Sequence, residues 1–250
     1  MAGRSDFCTI SPAVTPDLQL LCLTAASVGF LHTLAGPDHY VPFIAMASSR
    51  DWSSRKTALI TALCGLGHVG SSVAIGLVGI ALGAAAGRFL PLESRRGAAA
   101  AWLLLVFGLL YAAWGLRRAV AGKPHSHLHA HDGGVVHEHG HDHMVAAHCH
   151  AHEDVPANIT PWVLFTVFVL GPCEPLVPIM LYPAAAKSMW GLVLVTGSFC
   201  AATLLAMLAT VALGLKGLSL VRLGRLERYT HALAGGSIFL CAAAILLLGL

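Results

Sequence analysis

Two short segments of this chain combine residues that bind transition metals with residues that break helices. The first reads Gly36-Pro37-Asp38-His39-Tyr40-Val41-Pro42, and the second Gly171-Pro172-Cys173-Glu174-Pro175-Leu176-Val177-Pro178. Imidazole, carboxylate and thiolate together suit borderline ions such as Ni²⁺, Co²⁺, Zn²⁺ or Cu, whereas Mg²⁺ and Ca²⁺ prefer oxygen alone. With two nearby histidines added, the candidate metal ligands are His32, Asp38, His39, His68, Cys173 and Glu174. On a continuous helix His32 and His39 would lie two turns apart on one face. Pro37, Pro172 and Pro175 cannot donate backbone hydrogen bonds, so both segments are expected to be broken or kinked, with free carbonyls beside the carboxylates. Each residue also has a plainer reading. A membrane histidine can simply hydrogen-bond a neighbouring helix, and a cysteine can pack as a small hydrophobe. His231, at a helix boundary near Arg228, reads as interfacial.

A second concentration of imidazoles lies in the middle of the chain. Residues 123–156 hold His125, His127, His129, His131, His137, His139, His141, His143, His148, His150 and His152 in a polar, glycine-containing tract. No core can form there. The composition predicts a disordered linker with several weak, overlapping metal sites.

The elements that must position these residues are membrane helices. The chain has 250 residues, 56% hydrophobic and 11% charged, with mean hydropathy +0.74, too apolar for a soluble domain of this size. Twenty-six glycines fit helices that approach closely within lipid. Apolar stretches long enough for a ~30 Å hydrocarbon core run over 18–34, 57–86, 98–116, 162–186, 189–215 and 232–250. The expected fold is therefore all-α and polytopic with six transmembrane helices. Glu174 falls within one of those stretches and Asp38 between the first of them and the apolar run over 40–47 that would extend it or re-enter the membrane, and an intramembrane carboxylate persists when it faces a cavity, pairs or binds an ion. The seven cysteines show no CxxC spacing, so no disulfide framework is expected.

The expected organisation is a short tail over 1–17 without a cleavable signal, a first three-helix half over 18–122, the histidine-rich linker over 123–156, and a second half over 157–250. Arg50, Arg55, Lys56, Arg117, Arg118, Lys123, Lys216, Arg222, Arg225 and Arg228 fall on one side of a six-helix arrangement. Arg4, Arg88, Arg95, Arg96 and Lys187 fall on the other. That excess places both termini outside and the linker in the cytoplasm of an inner (plasma) membrane. The small positive net charge is scattered over loops and gives no nucleic-acid partner.

The two Gly-Pro segments also mark an internal repeat. At nearly the same separation, GLGHVGSSVAIGLVGIALG from Gly65 aligns without gaps to TGSFCAATLLAMLATVALG from Thr196. Two three-helix copies in series are inverted relative to each other, and a 3+3 inverted repeat with discontinuous helices is a transporter architecture. A path for a transition-metal ion through the membrane is the expectation that these residues carry.

The chain resembles the nickel/cobalt transporter family and its relatives, which include resistance exporters and urease-associated transmembrane proteins. The resemblance rests on His32 followed by the pair Asp38-His39, on Gly67-His68 in the following helix, and on the histidine-rich central loop. It implies metal coordination by His32, Asp38, His39 and His68, and it favours nickel or cobalt as the ion. Five residues separate His32 from Asp38 where the uptake branch has four, and Gly-Pro-Cys-Glu-Pro is not that branch's usual second signature. Gly-Pro-Cys followed by proline is also similar to the thiol-disulfide electron transporters of cytochrome maturation, whose mechanism needs two membrane cysteines.

The expectation is thus a non-enzymatic carrier of a divalent transition metal, Ni²⁺ or Co²⁺ foremost and Zn²⁺ or Cu next. No tightly bound cofactor is expected. The partners are the lipid bilayer and the metal ion, with oligomeric state open. The alternatives are a thiol-disulfide electron transporter, an anion (sulfite-type) exporter, and an accessory protein that delivers metal to an enzyme. No P-loop is present, so energy would come from an ion gradient, the membrane potential or a partner.

Overall fold

The computed structural model describes residues 16–82, 90–121, 126–130, 136–140, 160–185, 188–221 and 224–248. Helix α1 spans Pro16–Ala35 and ends where Pro37 removes a donor. A single 3₁₀ turn, Pro37–His39, leads into the short α2, Val41–Ser49. Helix α3 (Ser54–Ala81) starts at an N-cap, the Ser53 hydroxyl accepting the Lys56 backbone N–H, and α4 covers Leu90–Val120. The second half repeats this order. Helix α5 (Thr160–Leu170) stops at Gly171-Pro172, α6 (Leu176–Ala185) follows, and the long α7 (Met189–Ser219) and α8 (Thr230–Leu248) complete it.

Among the described residues five helices are long and apolar enough to cross a membrane: Pro16–Ala35, Ser54–Ala81, Pro91–Val120, Met189–Ser219 and Leu226–Leu248. The protein is therefore a multi-pass helical membrane protein. The apolar stretch over 162–186 is divided, as its prolines predict, into α5 and α6 of 11 and 10 residues. Outward-facing Leu20, Leu66, Leu110, Leu205 and Leu240 would be a liability in water and are ordinary in lipid.

In the linker, β1 (Ser126–Ala130) and β2 (Val136–Gly140) pair antiparallel, with His127 opposite His139 and His129 opposite His137. The expectations for His125, His131, His141, His143, His148, His150 and His152 lie outside the described residues.

Helix α1 packs along α7 and α5 against α3, while α4 lies along α8 and α3 touches α7. The buried interior forms two apolar clusters. One centres on Phe43, Met46, Leu104, Leu164, Met207 and Ile238, the other on Cys173, Leu176, Met180, Val195 and Phe199. Cys173 of the second break is part of the second cluster, and α3 packs against both α5 and α6 on either side of that break.

Candidate metal centre

Proline dictates which backbone groups each break leaves open. In the second break, Phe168 O would accept from residue 172 in a continuous helix, but Pro172 has no N–H. The Phe168 carbonyl instead accepts from Gly171 N (3.2 Å) and from His68 Nδ1 (3.3 Å). Val169 O loses the Cys173 N–H, which donates to the Ser72 hydroxyl at 3.0 Å, and accepts from the Arg96 guanidinium at 2.9 Å. Every freed group described here is taken by a side chain of α3 or α4. In the first break, Gly36 O accepts the His39 N–H at 3.1 Å and lies 3.0 Å from His39 Nδ1, so the turn folds the imidazole back over its own backbone.

Those bonds fix two tautomers. A carbonyl oxygen only accepts, so Nδ1 of His68 carries a proton toward Phe168 O, and Nδ1 of His39 carries one toward Gly36 O and Asp38 Oδ1, the latter at 3.1 Å. Each ring then presents Nε2, and the two Nε2 atoms face each other at 3.4 Å. Two bare lone pairs at that distance repel. A cation between them, either a proton or a metal ion, turns the repulsion into attraction. Two imidazoles bound at ~2.0–2.1 Å to a tetrahedral ion have nitrogens about 3.4 Å apart, so the separation fits a metal as well as a shared proton.

Further donors lie beside this pair. The His32 ring meets His39 edge-on at a centroid distance of 4.9 Å, and His39 meets His68 at 5.0 Å. His32 Nε2 is buried and has no hydrogen-bond partner. Ligand atoms of His32, His68 and Cys173 all lie within 4.8 Å of one another. His39 and His68 are 3% exposed and Cys173 is fully enclosed, so the group is dry enough for a bound charge to be strongly felt. Asp38 remains partly exposed, and its one described role here is to hold the His39 ring, the position of a carboxylate behind a metal-ligating imidazole.

The fold thus brings together His32, His39, His68 and Cys173, with Asp38 behind them. It does not bring Glu174 to the group. Glu174 is exposed, and its carboxylate lies beside Gly97 of α4. His231 is apart as well, accepting or donating at Tyr111 Oη (2.9 Å) and packing on Trp114 at the far end of α4.

Glu93 is not among the residues that the sequence marks, and Arg96, counted there as a loop charge, lies within α4. The apolar stretch was read from Ala98, whereas α4 begins at Leu90 and buries Glu93 completely. Glu93 Oε1 accepts from Arg96 at 2.6 Å and Oε2 from the Ser72 hydroxyl at 3.3 Å. Opposite charges spaced i, i+3 just ahead of an apolar run were the available signal.

The chain matches no protein-family model, no curated protein and no solved structure.

Proposed function

We propose that this protein carries a divalent transition-metal ion across the bilayer through a site formed by His32, His39, His68 and Cys173. The observation that carries the reading is the pair of Nε2 atoms held face to face at 3.4 Å by backbone carbonyls on their other nitrogens, with the unpartnered His32 Nε2 and the Cys173 thiol alongside. The ion is cargo, and three imidazoles with one thiol form a set for borderline metals. Nickel or cobalt is favoured by the family resemblance, with Zn²⁺ and Cu compatible with the same donors. The linker histidines would collect or sense metal on the cytoplasmic face, and facing His127/His139 and His129/His137 positions give that role a local framework.

A six-span, 3+3 inverted arrangement belongs to this proposal. Helices α5 and α6 together supply about 32 Å of rise, enough for a sixth, broken span. The packing supports exchange of the two halves: α1 lies on α7 as α5 lies on α3, α2 touches α7 as α6 touches α3, and α4 pairs with α8. The site takes its imidazoles from one half and its thiol from the other, the place where alternating access would open and close it. An inner-membrane location with outside termini remains the orientation proposed from the loop charges.

The test is metal flux into proteoliposomes for Ni²⁺, Co²⁺, Zn²⁺ and Cu. His39→Ala abolishes flux, and Asp38→Asn weakens metal affinity about 10–100-fold, the usual cost of losing a carboxylate that orients a ligating histidine. Deleting the linker leaves flux intact and changes its regulation. Binding without flux would identify an accessory protein that delivers metal, and no binding by folded protein would end the metal reading.

The thiol-disulfide alternative has one observation in its favour: Cys22 and Cys200 pack against the same apolar cluster that encloses Cys173. A metal carrier retains flux in the double variant Cys22→Ala, Cys200→Ala and loses it in Cys173→Ala. Electron transfer to an added disulfide that depends on Cys200 would reverse the assignment. An anion exporter is disfavoured because Arg96, the cation beside the site, is already neutralised by Glu93.

A further inference from the structure

We infer that Glu93 and Arg96 form a buried clamp that sets the position of Cys173 and of the Phe168 carbonyl, and so decides whether a metal bound by the histidines also acquires a thiolate ligand. This rests on the metal site proposed above and adds residues that do not touch the ion.

The second break has two places where its backbone must be held. Val169 O and the Cys173 N–H would bond to each other in an uninterrupted helix, and here each is taken separately, by Arg96 and by Ser72. Both holders converge on one group. Ser72 donates to Glu93 Oε2 and Arg96 donates to Glu93 Oε1, so the carboxylate ties together the two side chains that hold the break open. Arg96 also donates to the Ser71 hydroxyl at 2.8 Å, which fixes the guanidinium against α3 one turn beyond His68. A planar fork is required because a single guanidinium serves Glu93, Ser71 and Val169 O at once.

Two features of the metal group depend on this arrangement. Phe168 O, adjacent in sequence to the clamped Val169 O, fixes the tautomer of His68, and Cys173 supplies the thiol from the residue whose N–H is clamped. Pro172 keeps a regular helical turn from closing here, so without the clamp Val169 O and the Cys173 N–H lose the side chains that hold them and the thiol is free to shift relative to His32 and His68. Glu93 is wholly buried against Arg96, and a buried ion pair is kept for geometry more readily than for stability.

The probe is Co²⁺ bound to detergent-purified full-length protein, read by its thiolate-to-cobalt charge-transfer absorption and by its affinity. Wild-type protein shows the band, and Cys173→Ala loses it while still binding Co²⁺ through the imidazoles. Arg96→Lys keeps the charge opposite Glu93, so the protein folds, but an ammonium cannot span the three acceptors. Its charge-transfer band weakens, and affinity falls on the order of 10–100-fold, as for other residues that position a metal ligand. Ser72→Ala, a smaller change that frees the Cys173 N–H, lowers the band in the same direction. Arg96→Lys and Ser72→Ala proteins with wild-type band intensity and affinity would overturn the clamp while leaving the histidine site standing. Wild-type protein that binds Co²⁺ with no thiolate band, or binds none, would overturn the metal site as proposed and the clamp with it.

Discussion

His68→Ala is expected to abolish the transition-metal flux proposed for this protein. Its ring holds three relations at once: Nε2 faces His39 Nε2, Nδ1 engages Phe168 O of α5, and the ring lies within ligand reach of His32 and Cys173. Truncation removes one donor from the group and leaves the Phe168 carbonyl without the imidazole. Removing only a group that orients a ligand costs about 10–100-fold in affinity, so loss of the ligand itself should cost at least about 100-fold. The fold should tolerate the change, because α3 continues for more than a turn on either side and alanine favours helix. The measurement compares Co²⁺ and Ni²⁺ uptake by proteoliposomes carrying equal amounts of wild-type and His68→Ala protein, with Gly70→Ala, which adds a methyl to the same helix in open space, as the control. Wild-type uptake in His68→Ala would remove His68 from the path.

What could be read in the sequence divides along physical lines. Apolar run length reveals spans because lipid demands it, and proline reveals a break because the missing N–H is a covalent fact. Both Gly-Pro segments accordingly interrupt helices. Residue type pointed to candidate donors, but which of them meet depends on the path of the chain through each break. A straight helix would place His32 and His39 about 10 Å apart along its axis. The turn at Pro37–His39 instead brings the rings to 4.9 Å. Cys173 and Glu174 are neighbours in sequence with opposite fates, one enclosed beside the imidazoles and one exposed, and the choice is made by the Cys173 N–H bond to Ser72, a residue a hundred positions away. Glu93 escaped notice for a related reason. Its charge placed it outside any hydropathy-defined span, while the partners that allow its burial, Arg96 and Ser72, are visible only after folding.

The largest effect on the fold is expected at the crossing of α4 and α8. A Cβ on Gly235 would strike the Ala112 backbone nitrogen and lie 2.6 Å from Ala112 Cα, and one on Gly108 would stand 2.5 Å from Phe239 N. The obstacle in each case is helix backbone, which cannot rotate aside as a side chain does, so the helices must separate along their contact. Such close approach through small residues is how membrane helices gain packing where lipid supplies no hydrophobic drive. Gly235→Leu should therefore prevent accumulation of folded protein, and Gly235→Ala should destabilise it by at least the ~1–3 kcal/mol typical of overpacking. The adjacent Gly236 has open space where a Cβ would go, so Gly236→Ala is predicted to be neutral or stabilising by up to about 1 kcal/mol through helix propensity. Thermal aggregation of the detergent-purified variants distinguishes the two. Equal behaviour of Gly235→Ala and Gly236→Ala would mean that the α4 and α8 backbones do not meet as described, and the proposed inverted repeat would lose the α4–α8 pairing that supports it.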